Sequence, residues 1–476
     1  MSHHLPHART LSADENSDEK TLDETMTGQN KPENDGGFIK SPTDSEEDFP
    51  DGGLRAWLVV GGIMCSSFST FGFVNAWGVS SLRSIFIESS YDYKQVFQAY
   101  YEENLLKDFD SSTIAWIGSV QYALVFMPSV VTGRMFDIGY FKAPLLSASI
   151  LLVLATFLVA ECTQYWHFLL CQGFTIGLSC GMVFGPSVGI VGHWFRRRRG
   201  IAIGLMSTGA SVGGTVFPIV TRELIDAVGF PWTMRIIGCI LILGLGIANL
   251  TMKRRLPPVN ASGGILNLKA FKSTPYTIWC LSGFVAMLGL YTVLTYISVS
   301  AAAYGISPDV AFYLVSIVNA SSGVGRIVAG ICVDRYGALN YFGPITVIAG
   351  VVTYAWPFAR SLASMIVVAV IYGSVSFLRE FCDTNSGRFT SGAFISSAVN
   401  PIYDFGEISD VGRRTGMAFS IAALGAVAGP PISGAINTAT KSFEAMGYYA
   451  GSAIMLAVAL LYVARYVATG TLRGRF

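Results

Sequence analysis

From about residue 56 onward the chain is a succession of apolar runs of some twenty residues, each ended by a short polar break. A helix needs about 20 apolar residues to cross a hydrocarbon core about 30 Å thick. The pattern predicts spans at Ala56 to Val79, 113–133, 143–162, 167–192, 200–220 and 232–251, with a long polar loop to Ser112 after the first. Beyond the basic, proline-bearing stretch Lys253-Arg254-Arg255-Leu256-Pro257-Pro258, six more are expected: 275–297, 310–332, 339–358, a tenth split across 363–405, then 415–437 and 447–468. The fold class that follows is an all-α membrane protein with twelve transmembrane helices in two six-helix, pseudo-symmetric halves. Residues 1–50, rich in Asp, Glu, Ser and Asn, read as a disordered tail; 51–251 form the first bundle, 252–274 a linker, 275–468 the second bundle and 469–476 a short tail.

Two polar breaks share a grammar. Gly133-Arg134-Met135-Phe136-Asp137-Ile138-Gly139 and Gly330-Ile331-Cys332-Val333-Asp334-Arg335-Tyr336-Gly337 each close one apolar run and precede another. Such matched marks, roughly two hundred residues apart, point to two copies of one membrane unit, as internal repeats do in secondary transporters.

Composition agrees. Hydrophobic residues make up 52% of the chain, charged residues 13%, and mean hydropathy is +0.50, too apolar for a soluble domain of this length. The net charge of +1 and the lack of a basic, aromatic surface exclude nucleic acid as a partner; the lipid bilayer and a small-molecule substrate remain. Six of the eight cysteines lie within apolar runs and Cys162 at the edge of one, so no disulfide framework is expected. The first residues hold no apolar run of the kind a secretory leader carries. Lysine and arginine concentrate in alternate loops (Arg134 and Lys142; Arg196 to Arg199; Lys253 to Lys272; Arg335; Arg413 and Arg414), which predicts that both termini and the central linker are cytoplasmic, with the plasma membrane as the expected location.

Arg326 is the most informative single residue. It precedes Asp334 by eight positions, which at 1.5 Å per residue puts it about 12 Å inside the membrane. A cation there costs at least about 2.5 to 3.5 kcal/mol unless it faces protein or water, so it reads as a binding-site candidate, with snorkelling as the alternative. Asn319, seven residues earlier, shares its helical face. Asn75, Gln121, Gln172, Tyr291 and Tyr296 are further polar groups inside spans, open to a cavity role or to interhelical hydrogen bonding. Asp137 and Asp334, with Arg134 and Arg335 beside them, lie at helix ends where a carboxylate can meet the positive N-terminus of a neighbour and act as a conformational gate. The glycines at 173, 177, 181, 204, 209, 213 and 214 suit close helix packing or sliding faces. No GxxxxGK[ST] phosphate loop and no HExxH metal motif occurs, and no paired carboxylates lie in the interior. An enzyme, a cofactor and a metal are therefore not expected.

The six-plus-six spans and the turns GRMFDIG and GICVDRYG resemble the major facilitator superfamily, whose GxxxDRxG turn joins the second and third helix of each half; Asp137 lacks the following Arg. Asp51-Gly52-Gly53-Leu54-Arg55-Ala56-Trp57 and His193-Trp194-Phe195-Arg196-Arg197-Arg198-Arg199-Gly200-Ile201-Ala202 are similar to the openings of the first and fifth helices in the monocarboxylate porter family. Glu161-Cys162-x-x-Tyr165 and the stretch from Glu407 to Gly416 are similar to its fungal branch. The porters carry an arginine in helix 8, which Arg326 matches. Their proton-coupled lactate members place an aspartate one turn earlier, where this chain has Ser322, and a first-helix lysine with no counterpart near Asn75 and Trp77. Fold and anion preference thus carry over better than proton coupling or lactate.

The expected function is secondary active transport, by alternating access, of a small organic solute bearing a carboxylate, as efflux of a fungal secondary metabolite by a monomer. Uptake of a monocarboxylate or vitamin is the alternative, and a transporter-like nutrient sensor the rival of another class, disfavoured by the short tail after 468. The fungal branch runs from its first helix as WGVFQxYY; here Trp77-Gly78 and Val96-Phe97-Gln98-Ala99-Tyr100-Tyr101 are separated by residues 79–95, which read as a retained intron, with 377–388 as a second such block.

Overall fold

The computed structural model describes residues 50–75, 97, 100–257, 264, 266–336, 338–374 and 411–471. The expected tail up to residue 49, Trp77 and Gly78, the blocks 79–95 and 377–388, the remainder of the split tenth span and Glu407 to Asp410 lie outside these residues.

All regular structure among the described residues is helical. In chain order the helices are α1 (Gly53–Asn75), α2 (Ser111–Phe126 continued by Ser129–Asp137), α3 (Lys142–Val159), α4 (Tyr165–Trp194), α5 (Arg199–Val228) and α6 (Phe230–Thr251). The second series comprises α7 (Thr274–Ala303), α8 (Pro308–Tyr336), α9 (Ala338–Ala355), α10 (Leu362–Ser374), α11 (Val411–Thr440) and α12 (Phe443–Thr469). Among the described residues, 9 helices are long and apolar enough to cross a membrane, and Gly343–Phe358 and Leu362–Gly373 are shorter apolar helices. Several helices outrun the predicted spans: α5 continues to Val228 and α8 to Tyr336. Hydropathy sees only the lipid-buried part, whereas helical hydrogen bonding continues into the polar margin.

Local chemistry sets the ends. Pro231 and Pro275 occupy the first turns of α6 and α7, where a missing N–H costs nothing. Ser442 caps α12 by accepting from the amides of Glu444 (3.1 Å) and Ala445 (3.4 Å). Gly139 has a φ of 104°, which lets the chain reverse directly after Asp137. Pro128 interrupts α2, and at the break the hydroxyls of Ser129 and Thr132 donate to Phe126 O and Pro128 O. Two π-helical stretches, Phe68–Gly72 in α1 and Leu169–Ile176 in α4, displace the faces of these helices.

α1 packs on α5 and α6, α2 on α4, and α3 on α4 and α6, making one bundle; α7 packs on α11 and α12, α8 on α10, and α9 on α12, making the other. Small residues set the spacing, as where Gly177 and Gly181 lie against the backbone of Gln121 and Leu124. The bundles meet along two seams, α5 against α8 and α2 against α11.

Candidate functional site

Both seams are tied at the end of the molecule that carries the arginine-rich loops, called here the basic end. Asp334, at the end of α8, accepts hydrogen bonds from the amides of Gly200 (Oδ1, 2.6 Å) and Ile201 (Oδ2, 2.9 Å) in the first turn of α5. Asp137, at the end of α2, accepts from the amide of Arg413 at 3.2 Å in the first turn of α11. Each carboxylate of the repeated turn therefore crosses to the other bundle and meets amides that have no intrahelical partner, where the helix dipole favours negative charge. The two contacts are related as the two halves are. Arg335 is exposed and Arg134 half-buried one turn before Asp137.

A third carboxylate completes this end. Asp51 Oδ1 accepts from the amides of Arg196 (2.7 Å), Arg197 (2.8 Å) and Arg198 (3.3 Å), and Trp57 rests on Phe195 with ring centroids 5.0 Å apart. The motifs at the mouths of the first and fifth helices are thus one contact, and the Arg196 to Ile201 backbone lies between Asp51 of its own bundle and Asp334 of the other. The linker is fastened here too. Arg254 donates to the carbonyls of Phe136 and Asp137 (3.4 Å) and lies 5.0 Å over the Phe136 ring. Burial lowers the pKa of its guanidinium, and the neighbouring Asp137 carboxylate opposes that shift.

Deeper, polar side chains from both bundles converge. Arg326 of α8 is half-buried; its Nη1 donates to the Ser207 carbonyl of α5 at 2.7 Å and its Nε to Ser322 Oγ at 3.3 Å. Both partners are neutral, and no carboxylate among the described residues pairs with the guanidinium. Tyr291 of α7 lies within its electrostatic reach. Tyr291 faces Tyr122 of α2, with centroids 6.2 Å apart, and Tyr122 donates to Asn75 Oδ1 of α1 at 3.3 Å. Asn75 and Asn319 approach each other across Gly214 of α5: a Cβ there would lie 3.0 Å from Asn75 Nδ2 and 3.0 Å from Asn319 Oδ1.

Arg326, Asn319, Asn75 and Tyr291, singled out from sequence, thus fall in one cluster. Gln121, Gln172 and Tyr296 do not join it. Gln121 is buried against α4, Gln172 accepts from Tyr101 at 2.6 Å and Tyr296 donates to Pro430 O at 2.9 Å. Sequence reasoning missed Tyr122 and Ser207, and singled out Gly214 for helix packing or sliding only. The signal for Tyr122 was one residue away, at Gln121; a single step turns a helical side chain by about 100°.

The arrangement offers a cation and several amide and phenol groups, half-buried between two bundles joined by hydrogen bonds. It suits binding a polar or anionic solute and contains no group of catalytic nucleophiles. The comparisons with known proteins agree. Residues 57–379 match the Major Facilitator Superfamily. The chain is 36% identical over 433 residues to the MFS transporter asaE of Aspergillus flavus, covering 90% of this chain and 91% of that one. It is 31% identical over 423 residues to the aspyridones efflux protein apdF of Emericella nidulans, covering 88% and 80%. Among solved structures, the human organic anion transporter MFSD10 (TETRAN) superposes with a TM-score of 0.62 at 14% identity, covering 86% of this chain and 98% of that one. The E. coli fucose:proton symporter FucP gives 0.61 at 13%, covering 87% and 99%; at these identities the likeness is one of fold. Helical architecture, the two paired seams and these matches lead to one conclusion: the chain belongs to the Major Facilitator Superfamily and is a multi-pass membrane transporter of small molecules, not an enzyme.

Proposed function

We propose that the protein is a secondary active exporter of a carboxylate-bearing fungal secondary metabolite, related to the monocarboxylate porters, that holds its solute at Arg326 with Asn319, Asn75 and Tyr291. The observation that carries this reading is the Arg326 guanidinium: deep in the membrane-spanning region, half-buried, and bonded among the described residues to a carbonyl and a hydroxyl only. A cation kept there without a counter-ion is costly unless an anion or water meets it, and a carboxylate can take two parallel hydrogen bonds from a guanidinium. The direction is supported by a relative that carries the name of an aspyridones efflux protein. Ser322 fills the turn before Arg326, so no protonatable carboxylate is supplied at that position for proton coupling.

Asp137 and Asp334, with Arg134 and Arg335 at the same turns, act as the gate that closes the basic end between transport steps. The distribution of arginines supports assigning that end, with both termini and the linker, to the cytoplasm, and the plasma membrane as the location. The transporter works as a monomer, with its site between its own two halves. Arg326→Ala is expected to abolish efflux of the exported metabolite, measured as its ratio inside and outside producing cells, while membrane-inserted protein stays at the parent level. Undiminished efflux would remove Arg326 from the site, and accumulation that depends on an external carbon source would favour uptake.

A further inference from the structure

One helical turn toward the basic end from Asn75 and Tyr122, the character of the interior changes. Phe71 precedes Asn75 by four residues on α1, and Phe126 follows Tyr122 by four on α2, so each lies beneath a polar residue on the same helical face. Phe184 of α4 and Phe419 of α11 complete this second layer. Phe71 lies 5.5 Å from Phe126 and 4.7 Å from Phe184, between ring centroids. Phe419 is the only one of the four from the other bundle. It stacks on Phe126 at 6.2 Å and 29° and meets Phe184 edge-on at 5.3 Å and 61°.

Burial distinguishes the three rings at the seam: Phe126, Phe184 and Phe419 are 3%, 7% and 5% exposed, whereas Phe71 and the polar residues Asn75, Tyr122, Tyr291 and Asn319 are half-buried. The polar layer has open surface to offer a solute; the rings spend theirs on one another across the seam. Level with them, Ser420 Oγ donates to Met127 O at 3.3 Å; beyond them, toward the basic end, Gly416 lies against the Ser129 backbone and Asp137 holds the first turn of α11. A solute leaving the polar layer toward that end between α2 and α11 meets the ring layer first.

We propose that Phe419, gripped by Phe126 and Phe184, is the gate that seals Asn75, Tyr122 and Asn319 from the basic end, and that it opens when α11 withdraws this ring from the first bundle. The carboxylate at Asp137 holds the helix end; the rings close the path. Phe419 contributes no charge and needs none, because an apolar plug one side chain thick excludes water and ions as well as solute. Two ring pairs of this geometry bias a closed-to-open equilibrium by roughly tenfold or more.

The test reads access rather than transport. Full-length protein carrying Asn319→Cys is prepared in vesicles that expose the basic end, treated with a charged, membrane-impermeant methanethiosulfonate, and modification at position 319 is followed by peptide mass spectrometry, so the native cysteines remain. Adding Phe419→Ala is expected to raise the modification rate about tenfold or more, and Phe419→Trp to leave it at the parent rate. Asp137→Asn serves as the positive control for opening. A parent rate with Phe419→Ala, in protein that melts as the parent does while the control responds, overturns the gate. Should Phe419→Ala fail to insert, Phe184→Leu replaces it, with an expected rise of about threefold and the same refuting result. The proposal rests on the halves parting at this seam and not on the solute bound: Arg326→Ala tests the anion site by efflux, and either can fail alone.

Discussion

At the basic end the two bundles approach closely at Gly200 and Gly330, and replacing Gly200 by Ala tests whether the Asp334 contact holds the halves together. A Cβ on Gly200 would lie 2.5 Å from Gly330 O and 2.6 Å from Asp334 Oδ1. Ordinary carbon-oxygen contact lies at about 3.3 Å or more, so α5 and α8 must separate by most of an ångström or the carboxylate must move. Overpacking of this kind costs about 1 to 3 kcal/mol, which is a shift of about 5- to 150-fold in the closed-to-open ratio. The gain from replacing glycine in a helix, at most about 1 kcal/mol, applies equally to the open state and cancels. The penalty is comparable with one of the two charge-assisted hydrogen bonds on Asp334, about 1.5 to 3 kcal/mol, so the contact weakens without being abolished. Hydrogen exchange at the Ile201 amide reads the result directly, because an amide in the first turn of α5 has no intrahelical acceptor and Asp334 is the partner observed. Protection at Ile201 should fall about 5- to 150-fold in Gly200→Ala. The amides of Arg196 and Arg197, held by Asp51 of the same bundle, should keep theirs. Unchanged protection at Ile201 in a folded variant, or equal loss at all three amides, would refute the reasoning.

Two further outcomes follow from the geometry. Gly214→Ala places a methyl 3.0 Å from both Asn75 Nδ2 and Asn319 Oδ1, and should raise KM for the exported solute about tenfold by parting the two amides, with membrane level unchanged; parent KM in efflux assays would show that these amides do not touch solute. Tyr101→Phe leaves buried Gln172 without the hydroxyl it accepts from at 2.6 Å, and should cost about 1 to 3 kcal/mol, read as a lower thermal midpoint in detergent with unchanged efflux.

Residue by residue, the division between what was legible and what was not has a physical basis. The spans were legible because hydrocarbon enforces them: a backbone in lipid must satisfy its own hydrogen bonds, so twenty apolar residues specify a helix with little help from their neighbours. Asp137 and Asp334 were legible as helix-end carboxylates because their turn is written twice. Arg326 stood out because a cation eight residues inside a span is expensive. Its actual partners were not legible: Ser207 belongs to the other bundle, and nothing in the order of residues says which α5 carbonyl faces α8. Tyr122 and Gln121 show the same limit at its smallest, since adjacent positions on one helix face a cavity and a packed neighbour, and the choice is made by α2 rotating to press Gln121 against α4.

By itself, then, the sequence determined a membrane protein of repeated helical halves, the carboxylates that end its second and eighth helices, and the buried cation, because each follows from the cost of polar groups in an apolar solvent. Tertiary structure alone decided which amides those carboxylates take across the seams, that Asp51 and the Arg196 to Arg198 backbone form one contact, and that Phe419 enters a ring of phenylalanines from the other bundle. Those are facts about the relative rotation and approach of helices far apart in the chain. Small residues permit that approach, but only the packed whole selects it.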